Sequence, residues 1–157
     1  MKNTILKPAS LNFCFLFVLL SLTTFSSHSA DVQYLNSPTY KQLGMPFSEA
    51  VRAGNTLYLS GHVGNYYGKL ELVPGGIGPE TRQTMKNIKT SLNHHGATLN
   101  DIVKCTIFLA DIKEWSQMNE VYKTFFKEHY PARSAVGQNE LAIGARVEIE
   151  CIAVVSG

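Results

Sequence analysis

Two carboxylates, Glu148 and Glu150, alternate with Val147, Ile149 and Cys151 near the C-terminus, so both project from one face of an extended segment. Carboxylates set among Val, Ile, Ala and Cys are costly unless solvated or paired. Held in a pocket, such a group can orient a water molecule or take its proton. Arg133 lies fifteen residues before Glu148, in the run Tyr130-Pro131-Ala132-Arg133-Ser134. Pro131 pre-sets the backbone ahead of it, and a guanidinium offers a bidentate fork that matches a substrate carboxylate. Each residue also has a structural reading. The glutamates could border solvent or pair with Arg146 or Arg133, and Arg133 could form a surface salt bridge.

Other reactive side chains carry less. His94 and His95 are adjacent, so they project in different directions, and no carboxylate stands at ligand spacing; no metal is expected. Cys105 and Cys151 sit in strand-like apolar runs without metal-site spacing. Buried thiols are the expectation, and a bridge depends on a Cα separation that sequence does not contain.

The elements that must position these groups follow from periodicity. Short β-prone segments near residues 32–36, 48–53 and 56–60, with a turn at Ala53-Gly54-Asn55-Thr56, predict an antiparallel meander. Residues 73–78 form a loop, and Pro79 opens a helix to about His95, with Met85, Ile88 and Leu92 at helical spacing between Arg82, Lys86 and Lys89. Gly96 caps it. A buried strand over 102–109, a second helix over about 113–127 ending before Pro131, a short strand at 135–136 and a final strand over 146–155 complete the order. That order predicts an α+β sandwich, a sheet with two helices covering one face.

The chain has 157 residues, of which 45% are apolar and 17% charged, enough for one core. Lys2 and Lys7 precede an apolar run from Leu11 to Leu22 and then small and polar residues to Ala30, the pattern of a secretory signal peptide too short for a membrane span. Residues 31–157 form the domain. The expected location is therefore periplasmic or secreted, with no membrane association after the signal is removed. The leader takes two of the 14 basic residues and none of the 12 acidic ones, so the mature domain is neutral. No nucleic-acid partner is expected, because Arg82, Lys86 and Lys89 read as the solvated face of a helix.

The blocks Leu59-Ser60-Gly61, Thr81 to Ile88, Asp101 to Asp111, Met118 to Tyr122, Pro131 to Ser134 and Gly144 to Ala153 occur in one order across nearly the whole mature chain. In this the sequence resembles the RidA (YjgF) family of reactive-intermediate and imine deaminases, formerly also labelled endoribonucleases (L-PSP). The resemblance implies a chorismate-mutase-like fold, a homotrimer with ligand sites between subunits, and hydrolysis of enamines and imines such as 2-aminoacrylate and 2-iminopropionate to 2-keto acids and ammonia. It implies that Arg133 clamps the substrate carboxylate, that Glu148 positions the attacking water, and that Ser60 and Asn119 line the pocket, without metal or cofactor. Phe47 stands where the family often has tyrosine, so the site keeps an aromatic wall and loses a hydroxyl. Ala135 replaces a cysteine of some members. His62 takes a cleft-lining position where glutamine is common, and Tyr66-Tyr67 is a loop pair suited to a subunit contact. Two other classes compete with the deaminase: a non-catalytic module binding small carboxylates or hydrophobic ligands, which the lost hydroxyl favours, and a ribonuclease, which neutral charge and the lack of a general acid-base histidine pair oppose.

Overall fold

A computed structural model describes residues 31–155; the expected signal peptide lies outside the described residues. The N-terminal part is the anticipated meander: β1 (Val32–Leu35) pairs antiparallel with β2 (Ala50–Ala53), and β2 with β3 (Thr56–Leu59). Gly54, at φ +58°, supplies the left-handed residue in the β2–β3 turn. Two elements pair in succession along the C-terminal strand β7 (Val147–Val154): first β3, then the two-residue β4 (His62–Val63). On its other side β7 pairs antiparallel with β5 (Ile102–Leu109), and β5 pairs parallel with β6 (Ala132–Gly137). The result is one mixed sheet in the order β1-β2-β3-β7-β5-β6.

Among the described residues three helices accompany it where two were expected. The additional α1 (Pro38–Leu43) is bounded by local signals: the Ser37 hydroxyl accepts from the Tyr40 amide at 3.4 Å, Pro38 takes the first turn, and Gly44 closes it at φ +61°. At six residues it is too short to show a hydrophobic period. α2 (Ile77–His94) begins two residues before Pro79 and buries Met85, Ile88 and Leu92 as anticipated. The predicted helix over 113–127 is instead α3 (Trp115–Tyr122) between two 3-10 turns, Ile112–Glu114 and Lys123–Phe125. The Thr124 hydroxyl donates to the Val121 carbonyl at 2.7 Å, which competes with continuation of the helix into Phe125 and Phe126. β6 is longer than predicted, starting directly after Pro131. The core lies between helices and sheet, with Met85, Ile88 and Met118 fully buried against Ile107, Val147 and Ile149.

Cys105 and Cys151 correct the expectation of buried free thiols. They are direct partners in the β5–β7 register, with Cα atoms 4.1 Å apart and their sulfurs bonded. Opposed residues of an antiparallel pair approach that closely without backbone adjustment. The bridge closes a sequence separation of 46 residues, which in the chain-entropy account stabilises the fold by about 4 kcal/mol.

A buried charge ties the meander to α2. Glu49 is fully buried, accepts the Ser37 amide at 2.8 Å and faces His95 Nε2 at 3.3 Å. Its own amide donates to Asn36 Oδ1 at 2.8 Å, and its carbonyl accepts from the Ser60 amide at 3.1 Å. Burial alone would raise its pKa, but the neighbouring His95 and Ser91 side chains and the Ser37 amide outweigh it and hold the carboxyl at about 2.

Two measurements check these anchors. Thiols of the purified mature domain in denaturant should titrate only after reductant is added, and Cys105→Ala/Cys151→Ala should lower Tm by roughly 10 °C or more; a freely titrating pair would remove the bridge. Because the Glu49 pKa is depressed on folding, its contribution is complete above the ordinary carboxylate range and drains as pH falls towards 2. Urea unfolding of Glu49→Gln should therefore show lower stability at pH 7 and a flatter acid dependence. Parallel curves for both proteins would dismiss the anchor.

Candidate active site

Strand alternation in β7 points Val147, Ile149, Cys151 and Ala153 into the core and Glu148 and Glu150 to the opposite face. Glu148 is half-buried, opposite Val63 on β4 and Phe108 on β5. Burial, and secondarily the charge of Glu150, raise its carboxyl pKa above the usual value. Neither glutamate pairs with an arginine: Arg146 is bound to Glu114, at 2.9 Å from Nε, and Arg133 bonds elsewhere.

The carboxylate of Glu148 packs directly over Gly61, where a Cβ would collide with Oε1. This explains Leu59-Ser60-Gly61 physically: only glycine leaves room for the acid. Ser60 acts one step back. Its hydroxyl donates to the Ser48 carbonyl at 2.7 Å, joining the segment that carries Phe47 to the β3–β4 link that carries Gly61.

Glu148 and Phe47 share the wall of a cavity of about 220 Å³, together with Leu43, Met45, Val63 and Leu70. Tyr40, His62 and Asn87 also line it. His62 is buried, and burial drives its pKa down to about 4, partly offset by the charge of Glu49. The rim includes Ile143, a β-branched residue held at φ +51° with 47% of its surface exposed. That conformation costs of order 1–3 kcal/mol.

Arg133 belongs to a second cluster. Its Nη1 donates to Asn119 Oδ1 at 2.6 Å, and its guanidinium lies 4.9 Å from the centre of the Tyr122 ring and 5.6 Å from that of Trp115. These α3 contacts pre-orient the fork. Burial raises the Tyr122 phenol to about 12, with Arg133 opposing the shift, so the hydroxyl is neutral beside the cation.

The two clusters do not meet within one chain. Arg133 is in register with Cys105, which is in register with Cys151, and all three face the helices; Glu148 faces the other way. Two strand spacings, about 10 Å, and the sheet itself separate them. Of the five residues anticipated, Phe47 and Glu148 come together with Ser60 behind them, and Arg133 and Asn119 come together elsewhere. Sequence reasoning missed the parts played by Gly61, Ile143, Trp115 and Tyr122. Glycine directly after a strand was the one available signal for the first, and helical spacing of Trp115, Asn119 and Tyr122 for the last two.

Residues 40–155 match the protein family described as Endoribonuclease L-PSP. A mouse protein named 2-iminobutanoate/2-iminopropanoate deaminase is 44% identical over 109 residues, 69% of this chain and 81% of its own. A protein of the same name from Dermatophagoides farinae is 41% identical over 121 residues, 77% of this chain and 94% of its own. Among solved structures, RidA from the Antarctic bacterium Psychrobacter sp. superposes with a TM-score of 0.68 at 33% identity, covering 82% of this chain and 99% of that one.

Gly61→Ala tests the seating of the acid. The added methyl should expel the Glu148 carboxylate and return its pKa towards the ordinary range, as followed by carboxyl carbon NMR titration, while the fold persists. An unaltered, raised pKa in the variant would show that Gly61 does not make the seat.

Proposed function

Because the chain belongs to the Endoribonuclease L-PSP family, we propose that it hydrolyses 2-imino acids of the 2-iminobutanoate and 2-iminopropanoate type to 2-keto acids and ammonia. The observation that carries this reading is a carboxyl of raised proton affinity, Glu148, seated at the wall of a cavity, in a chain 44% identical to a deaminase of that name. The imine carbon is already electrophilic, so the site has to anchor the acid and direct one water. Arg133, fixed by Asn119 and stacked beside Tyr122, presents its fork to the substrate carboxylate. Glu148 takes a proton from water as the oxygen bonds to the imine carbon and the C=N electron pair moves to nitrogen. It returns that proton to nitrogen to give the carbinolamine, then takes the hydroxyl proton as the carbonyl forms and delivers it to nitrogen, which leaves as ammonia when the C–N bond breaks.

Since the two residues occupy opposite faces of one sheet, the reading assembles each site from two copies, Arg133 from one and Glu148 from its neighbour, in a homotrimer. The sheet face away from the helices supports such docking: Tyr58 lies opposite Ile152, and Phe108 opposite Val136. Tyr58 and Val136 are 46% and 40% exposed on the single chain. Among the described residues no lysine or arginine lines the cavity beside Glu148, which supports a small acid over a nucleic acid as substrate. Export to the periplasm or beyond belongs to the same proposal. The Cys105–Cys151 bridge supports it, since disulfides persist in oxidising compartments.

The test is imine consumption by the purified mature protein, with the imine formed in place by an amino-acid oxidase. Arg133→Ala should raise KM steeply, and Glu148→Gln should lower kcat by about 100-fold or more. The wild-type acid limb should lie above the ordinary carboxylate range, because the base form of a carboxyl with a raised pKa is lost as pH falls through that value. Two inactive variants, unfolded together and refolded, should regain roughly a quarter of wild-type activity if sites are shared around a trimer. No recovery would place the whole site in one chain, and full activity in either variant would remove its residue from the mechanism.

A further inference from the structure

A substrate of the 2-iminopropanoate type carries only a methyl group beside its imine carbon, yet Glu148 borders a cavity of about 220 Å³. An apolar cavity of about 150 Å³ is large enough to take up benzene. Space alone does not define a guest; the lining does. Leu43, Met45, Phe47, Val63 and Leu70 form apolar walls, and no lysine or arginine among the described residues contributes. Tyr40 meets the His62 ring edge to face, with centroids 6.0 Å apart, so the inner wall is aromatic. His62 is buried, and its Nε2 has no hydrogen-bond partner among the described residues. Its low pKa keeps the ring uncharged at neutral pH.

The rim supplies an independent observation. Ile143 is the only described non-glycine residue with a positive φ, and it holds an apolar side chain 47% exposed at the cavity mouth. A β-branched residue in that conformation is strained and leaves about half of its hydrocarbon uncovered by the chain. It gains a contact once the cavity is filled.

We propose that this site selects 2-imino acids with a bulky apolar side chain, aromatic or branched aliphatic, whose side chain enters the cavity under Ile143 while Glu148 addresses the imine carbon. This rests on the deaminase reading above and names its substrate class. The order of groups along the substrate is consistent with it. The carboxylate faces the neighbour's Arg133, the imine carbon faces Glu148, and the side chain points away from both into the apolar wall.

The experiment compares imines generated in place from L-phenylalanine, L-leucine and L-alanine on the mature wild-type protein, alongside Ile143→Gly. Glycine adopts the φ of +51° without a Cβ penalty, so this variant keeps the fold. The phenylalanine- and leucine-derived imines should have kcat/KM at least about tenfold above that of 2-iminopropanoate, and Ile143→Gly should reduce that ratio severalfold. Equal rates, or a preference for 2-iminopropanoate, would overturn the proposal and leave the deaminase reading standing. If no imine is consumed faster than it hydrolyses unaided, the deaminase reading fails instead. Binding of phenylpyruvate against pyruvate, measured by calorimetry on the same protein, then decides the cavity's guest: tighter phenylpyruvate supports the apolar class, and equal or weaker binding rejects it.

Discussion

Successive residues of a β-strand face opposite sides of a sheet, and the organisation of this molecule follows from that alternation. In β7 it sends Ile149 and Cys151 into the core and Glu148 to the other side. In β6 it turns Arg133 towards the helices, in register with the disulfide pair. The anchor and the base suggested by the chain therefore cannot serve one ligand from one subunit. A functional unit built on both has to be assembled from copies, and the uncovered sheet face, with Tyr58, Phe108, Val136 and Ile152, is the surface through which copies can meet.

Each of the two clusters is braced from behind. The Arg133 fork is held by Asn119 and two aromatic rings of α3, whose own position depends on Met118 in the core. In the other cluster, Glu148 rests over Gly61, Ser60 ties that segment to Ser48, and the buried Glu49 fixes both to Ser37 and His95. Glu49 and Glu148 illustrate how environment divides identical side chains. One is surrounded by donors and kept strongly acidic; the other is half-buried beside another carboxylate and pushed towards proton binding. The first is thereby suited to structure and the second to proton transfer.

The disulfide adds a covalent tie at the centre of the sheet, joining the two strands that share the longest register. It lies directly beside the row that carries Arg133, so a covalent tie flanks the backbone that presents the guanidinium. The opposite edge, around β4, is short and flanked by loops, and the cavity opens there.

Sequence alone determined the meander, the amphipathic α2, the alternation in β7 and the family, because these reside in local period, in turn residues such as Gly54, and in ordered blocks. It also singled out Arg133, Glu148, Asn119, Phe47 and Ser60. Local order misled for α3, where side-chain hydrogen bonding and aromatic crowding ended a helix that hydrophobic spacing extended. α1, with its Ser-Pro start and Gly end, was too brief for any period to register. Tertiary structure decided the pairing of Cys105 with Cys151, the seat of Glu148 on Gly61, the outward Ile143 and the separation of Arg133 from Glu148. Each depends on which strands become neighbours, in what register and with which face towards the helices, and contacts between residues distant along the chain leave no periodic trace within any one segment.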